Sequence, residues 1–406
     1  MSIRTSFTVR QYVEAPPADV FRAFTRSLPL RMWFCTDAHI DPGVGGHVYL
    51  RWADGYYVAG ECTGFEQDKR IALQWQGKDE LRPTDVAIVF SADGSGTCIT
   101  VEHGNFAPGK GLAPYVDSLR QRWAEGLENL ASVWALTGID LRLSRRPMLG
   151  IYLEQVREGP EFGLPDGVRG IGVTGTLEGS GAEACGLVRG DIITGLNGVS
   201  LTQFSNFEVA MAGKRAGDTV PMTFFRAGEK NDVDLTFCSR PTPPEIPGNP
   251  ADLSNIIKEQ YSRFAVELSE ILADITDVEA GFRPAANTWN VLEILAHLVL
   301  FERCFHQWIS MLAEGEELLA FAARVPARVA GLLERCPSIV GLSEELRQLR
   351  IETVHLIREL PKDFSQSPEY VRMGQIMMGE EIHSIAHHEQ VRRTIAAARG
   401  EGITGT

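Results

Sequence analysis

Two histidines near the end of this chain stand at a spacing that could do chemistry. His383 and His387 lie four residues apart in Glu381-Ile382-His383-Ser384-Ile385-Ala386-His387-His388-Glu389-Gln390-Val391. On a helix of 3.6 residues per turn this places both imidazoles on one face, ~6 Å apart along the axis. Two imidazoles so arranged can share one metal ion. His297 is a candidate third ligand, in Asn287-Thr288-Trp289-Asn290-Val291-Leu292-Glu293-Ile294-Leu295-Ala296-His297-Leu298. That stretch reads as a capped helix with His297 facing inward. A lone histidine on an apolar face is more often a satisfied core residue, but beside a pair on another helix it can complete a site. Three neutral imidazoles with an open fourth position make a Lewis-acid centre able to hold water or a thiolate. Glu293 and Glu389 are the nearest candidates for an acid or base, whereas His388 turns about 100° from His387 and is expected at the surface. His306 and His355 fall in no matching motif.

The elements that must position these groups are helical. Amphipathic runs cover Leu253–Leu272, Val291–Leu312, Ser343–Leu360 and Ile376–Ala398, with a shorter helical insert expected over Glu314–Cys336. Four such helices with moderate connections predict an antiparallel bundle. The segments Trp289-Asn-Val-Leu-Glu-Ile-Leu-Ala-His-Leu298, His383-Ser-Ile-Ala-His-His-Glu-Gln-Val391 and Phe282-Arg-Pro-Ala-Ala-Asn-Thr-Trp289 resemble the DinB-like family of metal-binding four-helix bundles, over residues 251–398. The resemblance implies His297, His383 and His387 as ligands of a divalent metal, zinc or nickel, and in some relatives a low-molecular-weight thiol as cofactor of a transferase or isomerase. A site sealed by Met377, Met378 and Phe301 would speak for a structural metal, and room for a thiol for an enzyme.

Upstream the period changes. Residues 47–52, 56–66, 71–76, 85–91 and 97–104 alternate at period two, as half-buried strands do. A helix opens at Pro17-Ala18-Asp19, and another carries Tyr115, Leu119, Trp123, Leu127, Leu130 and Trp134 on one face. The stretches VEAPPADVFRAFT (13–25), MWF (32–34), DPGVGGH (41–47), GECTGFE (60–66), VEHGNF (101–106) and Trp123 resemble the START-like (SRPBCC) superfamily, in its branch of activators of the Hsp-type chaperone ATPase. This implies a helix-grip fold over residues 1–140 around an apolar cavity. Trp33, Phe34, Trp52, Tyr57, Trp75, Phe90 and Trp123 are its candidate lining, for an apolar small molecule or a protein client. Each of these aromatics is equally a core residue, and His103 reads as a strand-end histidine satisfied by a neighbour. No paired carboxylates or nucleophile–base set accompanies them, so binding is expected rather than catalysis.

Between these segments, residues 147–239 resemble a PDZ domain of the bacterial protease type, carried by PMLGI (147–151), VTGTLEGSGAEACGLVRGDIITGLNGVSL (173–201) and TVPMTFFRAG (219–228). Such domains add an extended peptide to a sheet edge. The resemblance implies Met148, Leu149, Gly150, Ile151 and Leu153 as the peptide-binding loop and strand, receiving a peptide or protein C-terminus. Gly159–Gly170 is expected to be a mobile loop beside the groove. No GxSxG motif occurs, and the segment holds no histidine, so no protease site is expected there.

The two joints are 139–146 and the proline-rich Ser239–Pro250. The fold expected is therefore multidomain α+β: a helix-grip domain, a central PDZ barrel-like domain and a C-terminal all-α bundle. At 406 residues with 44% hydrophobic and 23% charged side chains, each segment can bury its own core. A net charge of −14 argues against a nucleic-acid groove and against anionic membranes. Seven scattered cysteines without a CxxC pair, no signal-peptide core and no membrane-length apolar run point to the cytoplasm. Two functional readings stay open: a binding adaptor serving stress response or detoxification, and a metal-dependent thiol transferase-like enzyme. Pairing of bundles into a homodimer is left open too.

Overall fold

A computed structural model of the chain describes residues 6–78, 80, 82–109, 111–284, 288–316 and 321–400. Ala285, Ala286 and Asn287 of the Phe282–Trp289 stretch and part of the 314–336 insert lie outside the described residues. By contacts the chain divides into two compact units: Ile139–Thr242, and the discontinuous pair Met1–Gly138 with Pro243–Thr406.

The N-terminal segment begins with β1 (Ser6–Val13), α1 (Pro17–Thr25) and α2 (Ser27–Trp33). β2 (Asp37–Ile40), β3 (His47–Arg51), β4 (Tyr57–Glu66), β5 (Arg70–Gly77), β6 (Thr84–Asp93) and β7 (Gly96–Gly104) follow, then α3 (Leu112–Ser132), which runs on as a π-helical turn over Val133–Thr137. The strands form one antiparallel sheet in the order β1-β7-β6-β5-β4-β3-β2. Period-two burial, clearest at Ile71, Leu73 and Trp75 of β5, turns one face toward α3, whose Leu119, Trp123, Leu127 and Leu130 are buried against it. Alternating side chains to the two faces is what a strand's pleat imposes.

The second unit holds α4 (Leu141–Ser144), β8 (Ile151–Glu158), β9 (Arg169–Thr176), α5 (Gly181–Ala184), β10 (Ile192–Leu196), β11 (Val199–Ser200), α6 (Asn206–Met211), β12 (Thr219–Arg226) and β13 (Glu229–Thr236). The sheet order is β13-β12-β10-β9-β8, with β11 on β10, so β8 is an edge strand. Asn197 and Gly198 both adopt positive φ (50° and 77°), the conformation a two-residue type I′ hairpin demands. The segment expected to be a mobile loop, Gly159–Gly170, is instead anchored: Leu164 is buried with Ile192 and Phe225.

Among the described residues the regular elements of the C-terminal segment are all helices: α7 (Pro250–Ile271), α8 (Asp277–Gly281), α9 (Val291–Ala313), α10 (Val325–Arg335), α11 (Ile339–Arg358), α12 (Lys362–Ser365) and α13 (Pro368–Ala398). α7, α9, α11 and α13 pack as a bundle, with α10 against α9. Local signals set the starts. Asn290 and Glu293 form a reciprocal capping box on α9, and Ser367 accepts from Tyr370 N with Pro368 in the first turn of α13. α13 thus starts eight residues before the expected Ile376. Among the described residues no helix is long and apolar enough to cross a membrane.

The N-terminal and C-terminal segments share one apolar core, in which Trp33, Leu127 and Trp134 join a cluster that also holds Tyr261, Trp308, Tyr370 and Met377. The first turns of α13 make the junction. Arg22 of α1 donates to Glu369 at 2.7 and 3.3 Å, and Gln375 Nε2 donates to Gly138 O at 3.1 Å. The chain where it re-enters this unit is held by the same stretch: Tyr370 Oη donates to Pro247 O at 2.8 Å, and Gly374 lies under Ile246.

Candidate metal centre

α9 and α13 bring His297, His383 and His387 together, with one nitrogen of each within 4.8 Å of the others. Nε2 of His383 lies 3.4 Å from Nε2 of His297 and 2.9 Å from Nε2 of His387. Ligand nitrogens ~2.0–2.1 Å from a tetrahedral ion stand about 3.3 Å apart, a spacing that the His297–His383 pair matches and the His383–His387 pair approaches from the short side.

The far nitrogens decide which way the lone pairs point. His383 Nδ1 is hydrogen-bonded to Glu380 Oε1, and His387 Nδ1 donates to Gln390 Oε1 at 2.9 Å. Both partners accept, so both Nδ1 atoms carry the proton and both Nε2 lone pairs face the cluster. Two such lone pairs 2.9 Å apart repel, and a cation between them turns that repulsion into coordination. The residues therefore fit a divalent metal. His297 Nδ1 is buried and has no partner among the described residues. Burial, then the neighbouring imidazoles, lowers the pKa of His297 to about 4, and burial does the same for His387, so both are neutral and competent to ligate at pH 7.

Around the triad, the Phe301 ring lies 4.6 Å from both His297 and His383, and Trp289 4.9 Å from His297. Of the side chains weighed as a seal, Phe301 lies against the triad, while Met377 is buried in the shared core and Met378 packs at its edge. The His383 side chain keeps 27% exposure, so one side of the cluster opens toward solvent.

Several neighbours differ from expectation. His388 is fully buried rather than at the surface: its Nδ1 bonds Glu267 at 2.9 Å and its ring meets Phe264 edge-on. The 100° turn from His387 points it at α7, because α13 is covered on two sides. Neither Glu293 nor Glu389 reaches the triad. Glu293 caps α9 and pairs with Arg283, and Glu389 pairs with Arg393. Missed altogether was a buried polar network on the inner faces of α7, α9 and α11: Tyr261 Oη donates to Glu302 at 2.8 Å, Thr353 donates to the same oxygen, and His306 Nε2 lies 2.8 Å from Thr353 Oγ1. Burial raises the pKa of both Glu302 and Tyr261.

In the PDZ-like segment, Met148 pairs with Cys238 and Leu149 is buried. Gly150 has φ 81°, and a Cβ there would sit 2.1 Å from Ser180 Cβ. The N–H groups of Leu149 and Gly150 have no acceptor among the described residues, and Ile151 and Leu153 lie on the edge strand, Leu153 exposed. This is the geometry of a backbone that can receive a carboxylate and an added strand. In the N-terminal segment, Trp33, Phe34, Trp52, Trp75, Phe90 and Trp123 are buried and pack on one another, leaving a void of only about 20 Å³ beside Trp75 and Trp123. Tyr57 is a correction: it is 41% exposed on the outer face, stacked on Tyr49, because strand alternation turns its neighbour Tyr56 inward. His103 is buried and bonded by Nε2 to Thr84 Oγ1 at 2.8 Å, as a satisfied strand histidine would be, though its Nδ1 has no partner among the described residues.

Comparison with known proteins finds three successive matches along the chain. The family model for Activator of Hsp90 ATPase homolog 1-like protein matches residues 14–135, that for the PDZ domain residues 140–224, and that for the DinB superfamily residues 260–396. The periplasmic pH-dependent serine endoprotease DegQ of Escherichia coli strain K12 is 29% identical over 176 residues, 41% of this chain and 37% of DegQ. A probable periplasmic serine protease do/HhoA-like of Haemophilus influenzae is 36% identical over 67 residues, 16% of this chain and 14% of that protein. This chain thus spans well under half the length of these relatives. Among solved structures, the Aha1 dimer from Colwellia psychrerythraea aligns at 18% identity over 32% of this chain and 94% of that one, with a TM-score of 0.29. The chain thus carries, in order, segments that match the models for Activator of Hsp90 ATPase homolog 1-like protein, the PDZ domain and the DinB superfamily.

Proposed function

We propose that the protein is a cytoplasmic binding adaptor whose helical bundle holds one divalent metal ion, zinc or nickel, on His297, His383 and His387. The observation that carries this reading is the convergence of three Nε2 atoms, two with tautomers fixed by Glu380 and Gln390. In this reading the PDZ segment receives a peptide or protein C-terminus at Met148–Ile151 and Leu153, and the N-terminal segment holds a small ligand or client. Seven scattered cysteines without a CxxC pair support a reducing compartment.

The bound metal would supply Lewis acidity to a water or thiol at its open position. The chain's own residues do the rest: Glu380 and Gln390 orient the two rings of α13, and Phe301 and Trp289 wall the cluster with aromatic surface. The partial exposure of His383 favours a second reading, a thiol transferase-like enzyme, because a small thiol could approach from that side. No acid or base beyond the orienting Glu380 stands against the triad among the described residues, which keeps the adaptor reading ahead.

Titration of zinc and of nickel into metal-free full-length protein tests the proposal. Saturation at one equivalent in the native chain and its loss in His297→Ala would bear it out. Undiminished binding in His297→Ala would place the metal elsewhere.

A further inference from the structure

The aromatic interior of the N-terminal segment has room for no more than about a water, at about 20 Å³. Space of ligand size lies at one end of the same sheet. A cleft of about 280 Å³ opens where the turn after β5 faces the loop leading into α3, close to the lower end of small-molecule pockets.

Its floor is a fixed polar network. Tyr115 Oη donates to Glu80 Oε1, Gly77 N donates to Glu80 Oε2 at 2.8 Å, Tyr56 Oη lies 3.3 Å from Tyr115 Oη, and Trp75 Nε1 donates to Tyr56 Oη at 3.2 Å. A Cβ at Gly77 would stand 2.2 Å from Tyr56 Oη, so any larger residue there must displace the Tyr56 side chain. Both oxygens of Glu80 are thus held by donors of the network itself, and burial raises its pKa. Phe106 and Leu112 make an apolar wall. Behind that wall His103, fully buried, touches Phe106 at 4.8 Å and Thr84, and its Nδ1 lacks a partner among the described residues. At the rim, Lys78 and Arg82 are exposed and have no anionic partner among the described residues.

We propose that this cleft binds a small amphipathic organic anion, its ring or short chain on Phe106 and Leu112 and its carboxylate or sulfonate facing Lys78 and Arg82. The inference rests on the reading that the N-terminal segment holds a small ligand, and it moves the binding place from the packed interior to the end of the sheet. Two cations at the rim of a low-dielectric wall attract an anion more strongly than the same charges on an open surface.

The test uses the full chain and 8-anilinonaphthalene-1-sulfonate, an aromatic sulfonate whose fluorescence rises on leaving water, with decanoate as competitor. The expected result is one saturable site from which decanoate displaces the dye. Affinity falls at least tenfold in Lys78→Glu/Arg82→Glu, and binding is lost in Leu112→Trp, which fills the cleft. Lys78 and Arg82 are exposed while Leu112 is partly buried against the core, so an unchanged unfolding midpoint is required of each variant to show that it folds. Saturable binding that neither variant weakens would put the ligand elsewhere and overturn the cleft alone. Loss in Leu112→Trp with no effect of the charge reversal would overturn the anion assignment. No dye binding at all would overturn the small-ligand reading together with the cleft.

Discussion

The two histidines of α13 differ from His297 in what holds their far nitrogen. Glu380 sits three residues before His383 and Gln390 three after His387, so helical geometry alone places an acceptor over each ring. Removing such a partner frees the ring to rotate and lowers its basicity, typically at a cost of ~10–100-fold in metal affinity. Glu380→Ala is therefore expected to weaken zinc binding by about that factor with the helical circular-dichroism signal intact; unchanged affinity would deny Glu380 its orienting role. A second residue-scale expectation concerns His103. Burial lowers its pKa to about 3 in the folded chain, against about 6.5 unfolded. Below pH 6.5 the unfolded chain takes up a proton that the folded one refuses, so this contribution to stability is full above 6.5 and is lost as pH falls toward 3. Denaturant midpoints of His103→Gln measured from pH 7 to pH 4 should fall less steeply than those of the native chain. The i,i+4 pair and its apolar-face companion were legible in the sequence because ligand chemistry has a periodic signature. Glu380 and Gln390 carry only a generic i±3 signal, and the burial of His388 follows from a neighbour, α7, that no local pattern reveals.

At the scale of elements, α13 does two jobs along one axis. Its first turns, Tyr370 to Met377, face the N-terminal segment, and its second half carries His383 and His387 into the bundle. The ion pair between Arg22 and Glu369 is asymmetric: the Glu369 side chain is 3% exposed and that of Arg22 37%. Truncating Glu369 to Ala leaves Arg22 able to reach water, so the loss is that of charge-assisted hydrogen bonds, about 1.5–3 kcal/mol, and not of a stranded buried charge. Chemical unfolding of Glu369→Ala should show a shift of that size; none would mean the pair forms without contributing. The four main helices were readable from their apolar period, and the helix that carries His297 as a capped one. The early turns of α13 were not, since their apolar residues answer to a surface outside the bundle.

At the scale of the whole molecule, the PDZ-like unit is an insertion in the chain of a discontinuous one. The points where the chain leaves and re-enters, Gly138 and Ile246–Pro247, are both held by the Tyr370–Gln375 stretch of α13. Insertions are tolerated where flanking ends lie close. Replacing residues 139–242 by a short Gly/Ser linker should accordingly leave a folded protein that unfolds in one cooperative transition, and two separate transitions would contradict a shared core. The order of the three segments was plain from their motifs. Their shared core was not, because contacts between residues more than 200 apart leave no trace in local periodicity.

The most direct test of the central claim is the metal content of full-length protein purified without an affinity tag, native against a His383→Ala/His387→Ala double variant. The account predicts close to one equivalent of divalent metal in the first and none in the second. A native chain that stays metal-free after incubation with zinc and nickel, or a double variant that keeps its metal, would contradict it.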